Sequence, residues 1–122
     1  MKTKNIFFIN KFKKQYRKVK KNSDWNSIFT GTVPFDNKKR SPWDYIIYCL
    51  FNSIKIPNYS YPHHLTLTNK FLKQLQKRFG PNTKFQIIEL HFDGHSGDHL
   101  LIYAENDENI FLIAIGSHSD LF

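Results

Sequence analysis

The sequence predicts an α+β fold, in which an antiparallel sheet carries helices packed on one face. Residues 1–84 contain segments whose apolar residues recur at helical spacing, interrupted by Gly and Pro. Residues 85–122 contain three consecutive short apolar segments separated by polar turns, as neighbouring strands would be. A chain of 122 residues is long enough for one modest core, so we expect a single domain over residues 1–122.

The N-terminal elements are a short strand and a basic helix. Residues 6–8 are apolar and favour a strand. Asn10 can then begin a helix that runs to about Lys21, in which Phe12, Tyr16 and Val19 recur at helical spacing and Lys or Arg fills much of the rest. Residues 22–41 are polar and contain Gly and Pro, which predicts an irregular insertion.

The second main helix has the clearest beginning in the sequence. Ser41 is suited to the N-cap, Pro42 to the first helical position, and Asp44 to a capping box. A broad apolar stripe follows, which predicts core packing, and Pro57 ends the segment before a loop at 57–65. The stripe consists of Trp43, Ile46, Ile47, Leu50, Phe51 and Ile54.

The C-terminal third changes from helical to strand periodicity. An extra helix is expected at residues 68–79, because its apolar residues keep helical spacing and Gly80 with Pro81 stops it. Strands are expected at 85–90, 100–103 and 110–115, with a hairpin turn at "AENDEN".

Composition excludes several classes of protein. The single cysteine, Cys49, rules out an internal disulfide framework and favours a reducing compartment. No apolar run approaches the ~20 residues that cross a membrane, so we expect a soluble cytoplasmic protein with no membrane partner. All 18 Lys and Arg lie in residues 1–84 beside only three acids, whereas residues 85–122 hold seven acids. Such a basic half attracts nucleic acid or an acidic protein.

The stretch "HFDGHSGDH", residues 91–99, concentrates three histidines and two aspartates in a predicted loop. A zinc or manganese site is one interpretation, although Gly94 and Gly97 break the helical spacing that would make the histidines converge. An exposed polar turn is another. The third is metal-free acid–base catalysis, because His91, His118 and either His63 or His64 would lie near the ends of neighbouring elements. Imidazoles can deprotonate one oxygen and protonate another near neutral pH, as RNA cleavage requires.

Residues 97–122, "GDHLLIYAENDENIFLIAIGSHSDLF", resemble the C-terminal end of YafQ-type toxins of the RelE superfamily. The family shows a carboxylate, "D-W-L-L-I-Y", a polar hairpin, an apolar strand and a terminal "G-[ST]-H-x-x-L-F". Upstream, "LFNSIKIPNYSYPHHL" resembles the family's "L-P-x-x-Y" and "H-x-L" elements, and "IIELH" resembles the segment before the catalytic Asp. The family Trp that follows the Asp is His99 here.

The resemblance implies a RelE-like fold and the toxin of a type II toxin–antitoxin system. It implies an mRNA interferase that acts in the A site of the 70S ribosome, contacts rRNA and mRNA, and uses neither metal nor cofactor. A cognate acidic antitoxin of RelB or DinJ type would neutralise it. Relative to the family, residues 22–41 and 66–84 are insertions. A non-catalytic module that binds RNA or an acidic protein, and a metal-dependent hydrolase, are the alternatives.

The candidate residues form three groups. His118 is the candidate general acid or phosphate ligand, while Asp98 and His91 would deprotonate the 2′-hydroxyl or orient the group that does. His63 would position or protonate, Phe122 would stack on a base, and the second-tier candidates are His64, His95 and His99. The candidate RNA-binding residues are cations of the first helix, namely Lys11, Lys13, Lys14, Arg17, Lys18, Lys20 and Lys21.

Overall fold

The computed structural model describes residues 2–65, 73, 76–78, 80 and 84–122. Within these residues, one mixed sheet has the strand order β1-β5-β4-β3-β2. Its strands are β1 (Asn5–Phe8), β2 (His63–His64), β3 (Gln86–His91), β4 (Leu100–Glu105) and β5 (Asn109–Gly116). The helices are α1 (Asn10–Lys20), α2 (Asn26–Thr30) and α3 (Pro42–Phe51), and a C-terminal helical turn spans His118–Leu121.

The predicted α+β class is confirmed, with one difference in strand direction. β2, β3, β4 and β5 pair antiparallel, whereas β1 lies parallel to β5, with Asn5 opposite Asn109 and Phe8 opposite Leu112. Parallel neighbours need a long connection between them, and here nearly the whole chain, beginning with α1, lies between β1 and β5. Sequence periodicity does not encode this pairing, because β1 is only four residues long.

Helix α1 packs its apolar side against the sheet and exposes its charge. Phe12 and Val19 are buried, and Tyr16 packs beside them. The helix ends with three cations, which interact favourably with the carboxyl end of the helix dipole. All seven predicted RNA-binding cations are exposed, as expected for an electrostatic surface.

Helix α3 confirms the predicted N-terminus. Ser41 Oγ accepts a hydrogen bond of 3.1 Å from the backbone N–H of Asp44, and Pro42 occupies the first turn. Cys49 is buried in the core beside its helix neighbours. Two members of the predicted stripe differ. Phe51 is 42% exposed at the last residue of the helix, and Ile54 lies beyond the end of the helix although it packs against the core.

Residues 23–30 are not the irregular loop that the sequence predicts. A 3₁₀ turn at Ser23–Trp25 leads directly into α2, and Asn22 accepts a hydrogen bond from the N–H of Asp24 at the start of the turn. Trp25 and Ile28 are both fully buried in the main core. The prediction failed because two core residues in a short polar segment give too few repeats to reveal a period.

The helix predicted at 68–79 lies mostly outside the described residues. Positions 73 and 76–78 are described there, and they are helical. Among the described residues, no helix combines the length and the apolar character that a membrane span requires.

The central strands β4 and β5 are buried on both faces and divide the core into two clusters. The cluster on the helix side includes Leu90, Leu101 and Leu112, and the cluster on the opposite side includes Ile102 and Phe111. A register shift between Ile102 and Tyr103 of β4 marks a β-bulge, which is why β5 does not alternate strictly between the faces.

Candidate active site

The register of the sheet brings its polar residues to one end. His91, the last residue of β3, lies opposite Leu100 at the start of β4, and Leu100 lies opposite Gly116 at the end of β5. The β3–β4 loop carries Asp98 and the C-terminal turn carries His118, and the two segments therefore meet at the same end of the sheet. The rings of His91 and His118 are 5.6 Å apart between centroids.

Asp98 holds His118 in place with two hydrogen bonds. Asp98 Oδ1 accepts from the backbone N–H of His118 at 2.7 Å and lies 2.6 Å from its ring Nδ1. The backbone bond and then the ring bond hold the pKa of the Asp98 carboxyl below its ordinary value of 3.8. Asp98 therefore remains a carboxylate near neutral pH, and its imidazole partner keeps Nδ1–H toward it. Because His118 Nδ1 is engaged, Nε2 is the ring nitrogen left for chemistry.

The C-terminal turn itself is fixed by a capping box. Ser117 Oγ accepts from the N–H of Asp120, and Asp120 Oδ2 accepts from the N–H of Ser117. These two bonds place His118 at the first helical position, so its orientation does not depend on Asp98 alone.

The compact β3–β4 loop depends on two glycines, one through its backbone conformation and the other through its lack of a side chain. Gly94 has a φ of +99°, and a Cβ on Gly97 would overlap the carboxylate of Asp93. The backbone N–H of Phe92 donates to the carbonyl of His99 at 2.9 Å and closes the loop at its base. Asp98 is thereby held close to β5.

A buried carboxylate lies beside two histidines on the face of the sheet opposite α1 and α3. Glu89 and His91 are two residues apart on β3, so their side chains lie on the same face of the sheet. The Glu89 side chain is 6% exposed and the His91 side chain is 5% exposed. His63 lies opposite Glu89 on the neighbouring strand β2 and therefore faces the same way. Glu89 Oε1 is 3.3 Å from His63 Nε2 and 3.5 Å from His91 Nε2.

Backbone carbonyls fix both of these imidazoles in one tautomer. His91 Nδ1 lies 3.0 Å from the carbonyl of Gly97, and His63 Nδ1 lies 2.9 Å from the carbonyl of Tyr61. A carbonyl can only accept, so each Nδ1 carries the hydrogen and each Nε2 presents a lone pair to Glu89. His91 Nε2 is buried and has no hydrogen-bond partner. Three converging acceptors require a shared proton or a cation between them.

His63, Glu89 and His91 are thus the described residues best placed to hold a metal ion. Their ligand atoms lie within 4.8 Å of one another, and two imidazoles with one carboxylate suit a transition metal. Backbone carbonyls on the outer nitrogens are the support that metal-bound histidines commonly have. The metal site interpreted from the sequence used the three loop histidines instead, and the structure does not bring those three together in this way.

The remaining predicted residues lie around this group. His95 is exposed, and its ring centroid is 4.1 Å from that of Tyr61 and 6.4 Å from that of His91. His64 pairs with Ile88, and alternation along β2 directs it to the face opposite His63. Phe122 is 68% exposed and borders a cavity of about 150 Å³ together with Lys11 and Gln15 of α1.

His99 points away from the group and binds the N-terminal part of the chain. Its Nδ1 lies 2.7 Å from Asp93 Oδ2 and its Nε2 lies 2.8 Å from the carbonyl of Asp24. Trp25 packs edge-on against the imidazole at 4.6 Å. Both ring nitrogens are occupied, so this geometry supports a structural role that ties the loop to residues 22–41.

Sequence reasoning missed two residues of the site, Glu89 and Tyr61. The signal for Glu89 was present, since a lone acid inside the apolar strand segment "IIELH" is costly unless it has a partner. Tyr61 gave no such signal, because its position depends on a backbone φ of +49° that its residue type does not predict.

Comparisons with known proteins place the architecture in one structural class. No family model matches the chain, and no curated protein sequence matches it. Among solved structures, the Escherichia coli DinJ–YafQ complex matches with a TM-score of 0.61 at 18% identity, covering 98% of each chain. YafQ from E. coli strain BL21(DE3) gives the same TM-score, identity and coverage. A copper-bound mutant toxin from Helicobacter pylori matches with a TM-score of 0.61 at 21% identity, covering 97% of this chain and 98% of that one.

The chain therefore has the same α+β fold as these solved structures. More particularly, its structural neighbours are YafQ and an H. pylori toxin, so the predicted likeness to YafQ-type toxins is confirmed for the fold. Identities near 20% carry no residue roles with them, and the chemistry has to be argued from the site of this chain.

Proposed function

We propose that the chain is the toxin of a type II toxin–antitoxin system and cleaves mRNA on the ribosome. The proposal depends on one observation. At one end of a YafQ-like sheet, the His118–Asp98 pair lies beside the group of His63, Glu89 and His91. The likeness to a toxin crystallised with its antitoxin supports a DinJ-type acidic antitoxin as partner. The exposed cations of α1 suit rRNA phosphates.

The arrangement suits transesterification of RNA by acid–base catalysis. The 2′-hydroxyl oxygen attacks the adjacent phosphorus, its proton passes to a base, and the bond to the 5′-oxygen breaks as an acid supplies a proton to that oxygen. The products are a 2′,3′-cyclic phosphate and a 5′-hydroxyl. The atoms and protons of this step balance without a metal ion.

Exposure divides the roles between the groups. The side chains of His118 and His63 are 54% and 32% exposed, so RNA can reach both of them. We assign His118 as the acid, oriented by Asp98. We assign the group of His63, Glu89 and His91 as the base, in which His63 takes the proton at Nε2, the nitrogen that it otherwise shares with Glu89. Glu89 and His91 are nearly buried and act through His63, by sharing the proton that the three converging acceptors require.

A second candidate function, metal-dependent hydrolysis, is favoured by the same three convergent ligands and by the copper in the H. pylori toxin structure. His63, Glu89 and His91 would hold the ion, which would supply Lewis-acid chemistry. His118 and Asp98 would still position the phosphate.

One experiment separates these candidates. The purified chain is stripped of bound metal with EDTA, freed of the chelator, and added to ribosomes programmed with a defined mRNA in magnesium buffer, with and without added zinc or copper, and the 5′ ends of the fragments are mapped. We expect cuts within codons in the A site, with 5′-hydroxyl ends, from the stripped chain without added transition metal. Cleavage that is lost after stripping and returns only with the added transition metal would establish the metal-dependent function instead. Intact mRNA in all reactions of the folded chain would exclude both nuclease functions.

Another prediction concerns the basic helix. Lys14, Arg17 and Lys18 lie on one side of α1 at spacings of three and four residues. Changing all three to Glu should weaken ribosome association and lower the steepness of its salt dependence. If each cation contacts one phosphate of single-stranded RNA, the slope of log K against log salt should fall by about two.

The control for this variant is Lys55→Glu, an exposed cation in the loop after α3. It changes the net charge without altering the helix surface, and we expect wild-type association at each salt concentration. Equal weakening by both variants, after correction for the number of charges, would show that only net charge matters and that α1 is not the contact surface.

A further inference from the structure

Beside the reactive histidines, the described surface carries two pairs of aromatic rings that are linked through Gly94 of the β3–β4 loop. Tyr61 contacts His63 at 4.6 Å and His95 at 4.1 Å between ring centroids. Tyr59 rests against Gly94, the residue that precedes His95, since a Cβ on that glycine would be 3.4 Å from the Tyr59 ring. Phe35 packs edge-on against Tyr59 at 5.7 Å. We define the aromatic strip as Phe35, Tyr59, Tyr61 and His95.

These rings are exposed to an extent that core packing does not explain. Phe35 is 50% exposed, Tyr59 55% and Tyr61 42%, although large aromatic side chains supply much of the core elsewhere in this chain. Contiguous exposed aromatic groups next to a reactive site are typical of a binding surface rather than of chance placement. The strip is held from behind, because Phe35 also packs against Tyr45 of α3 at 5.4 Å.

The backbone at Tyr61 is held in an unfavourable conformation. Its φ of +49° lies in the left-handed region, which residues other than Gly, Asn and Asp rarely adopt. The N–H of Tyr61 donates to the carbonyl of Asn58, and the carbonyl of Tyr61 accepts from His63 Nδ1. One residue therefore both fixes the tautomer of His63 and presents a ring beside it.

The charge near the strip matches a polyanion. Lys38 and Lys39 are exposed and follow Phe35 by three and four residues, whereas Asp36 is engaged by Arg40 at 3.0 Å. Exposed rings together with cations are a combination that binds single-stranded nucleic acid, because bases stack on the rings while cations neutralise the backbone.

We propose that the aromatic strip binds unpaired RNA bases next to the scissile phosphate, with Tyr61 stacking on the base nearest the reactive histidines. The proposal rests on the proposed nuclease function for its substrate class. It gives that site a surface that positions the RNA strand and that is built partly from residues 22–41. Because stacking accepts every base, the strip would fix the position of the strand more than its sequence.

The test measures binding separately from cleavage. A fluorescein-labelled single-stranded RNA with 2′-O-methyl groups at every ribose lacks the attacking hydroxyl, so its anisotropy reports affinity alone. Tyr61→Leu should bind about tenfold more weakly than the wild type, and Tyr61→Phe should bind nearly as tightly because it keeps the ring. Leu has no advantage over Tyr at positive φ, so the change isolates the ring.

Matched variants keep the test informative if one protein folds poorly. Phe35→Leu changes the outer end of the strip and should also weaken binding, whereas Phe51→Leu, at an equally exposed aromatic residue at the end of α3, should not. Tyr61→Trp should add an emission that RNA quenches, above the signal of the two native tryptophans.

Two results would overturn the proposal. The first is wild-type RNA affinity in both Tyr61→Leu and Phe35→Leu. The second is unchanged RNA affinity with loss of affinity for a DinJ-type antitoxin, which would make the strip a protein-binding surface. A failure of the proposed function gives a different result. If RNA binding depends on the aromatic strip but unmodified mRNA is not cleaved, the nuclease function is refuted while the strip is supported as an RNA-binding surface.

Discussion

Changing His118 to Gln should abolish growth inhibition and lower the rate of mRNA cleavage by about 10²–10⁴-fold, the usual contribution of one acid–base group. The two bonds that orient the C-terminal turn join Ser117 and Asp120, so they remain when the side chain at position 118 changes. Gln can also form a hydrogen bond at this position. What it loses is an ionisable nitrogen on the leaving-group side. The measurement is single-turnover cleavage of ribosome-bound mRNA, beside growth after induced expression.

The matched control for this variant is His64→Gln, which removes an exposed imidazole from the opposite face of β2. It should keep both toxicity and cleavage. Thermal unfolding of the two variants should be similar, since His118 and His64 are both solvent-accessible. Full toxicity of the folded His118→Gln protein would remove His118 from the mechanism. Loss of activity in His64→Gln would assign the catalytic role to His64 instead of His63.

The elements that could be predicted from the sequence are those with a strong local signal. Helix α3 has a capping serine and a proline in its first turn, so its beginning was predicted correctly, but the helix ends at Phe51, several residues before the predicted stop at Pro57. Strand β5 is an uninterrupted apolar run, and both of its ends were expected within one residue. The convergence of His91 and His118 followed from strand order, because consecutive strands usually lie side by side, whereas Asp98 was a candidate through the resemblance to YafQ-type toxins.

Other features depend on contacts between distant parts of the chain, and no local pattern reveals them. The parallel pairing of β1 with β5 and the burial of Trp25 are settled by tertiary packing. His99 looked equivalent to the other loop histidines, yet its two bonds go to Asp93 and to a carbonyl 75 residues away in sequence. Spacing in a loop that contains two glycines says little about the direction of each side chain.

Glu89 is the residue whose importance the structure reveals most directly. It is a buried carboxylate with two imidazole nitrogens within 3.5 Å, and each of those nitrogens presents a lone pair. An ionised carboxylate facing two lone pairs is unfavourable in a site of low polarity, so a proton or a cation has to lie between them. In the metal-free mechanism, this shared proton connects the exposed His63 with the buried His91.

Changing Glu89 to Gln should therefore lower cleavage by about 10²–10⁴-fold while the fold is retained. The Gln amide donates a hydrogen bond to one imidazole nitrogen, which satisfies part of the geometry, but it cannot accept the proton that His63 takes from the 2′-hydroxyl. Single-turnover cleavage across pH 5–9 is the measurement, because the variant should change the pH dependence as well as the maximum rate. A merely structural role for Glu89 would leave the shape of the profile unaltered.

The control is Glu105→Gln at the far end of β4, where the carboxylate pairs with Lys4 at 3.4 Å and is 25% exposed. It removes the same charge from the same sheet and should leave the pH profile unchanged. The two variants also test the metal-dependent alternative. If His63, Glu89 and His91 bind a metal, cobalt(II) should give a d–d absorption band with the wild type and Glu105→Gln, and a weaker band with Glu89→Gln. Absence of such a band in the wild type, together with the altered profile of Glu89→Gln, would leave the shared proton as the function of this buried carboxylate.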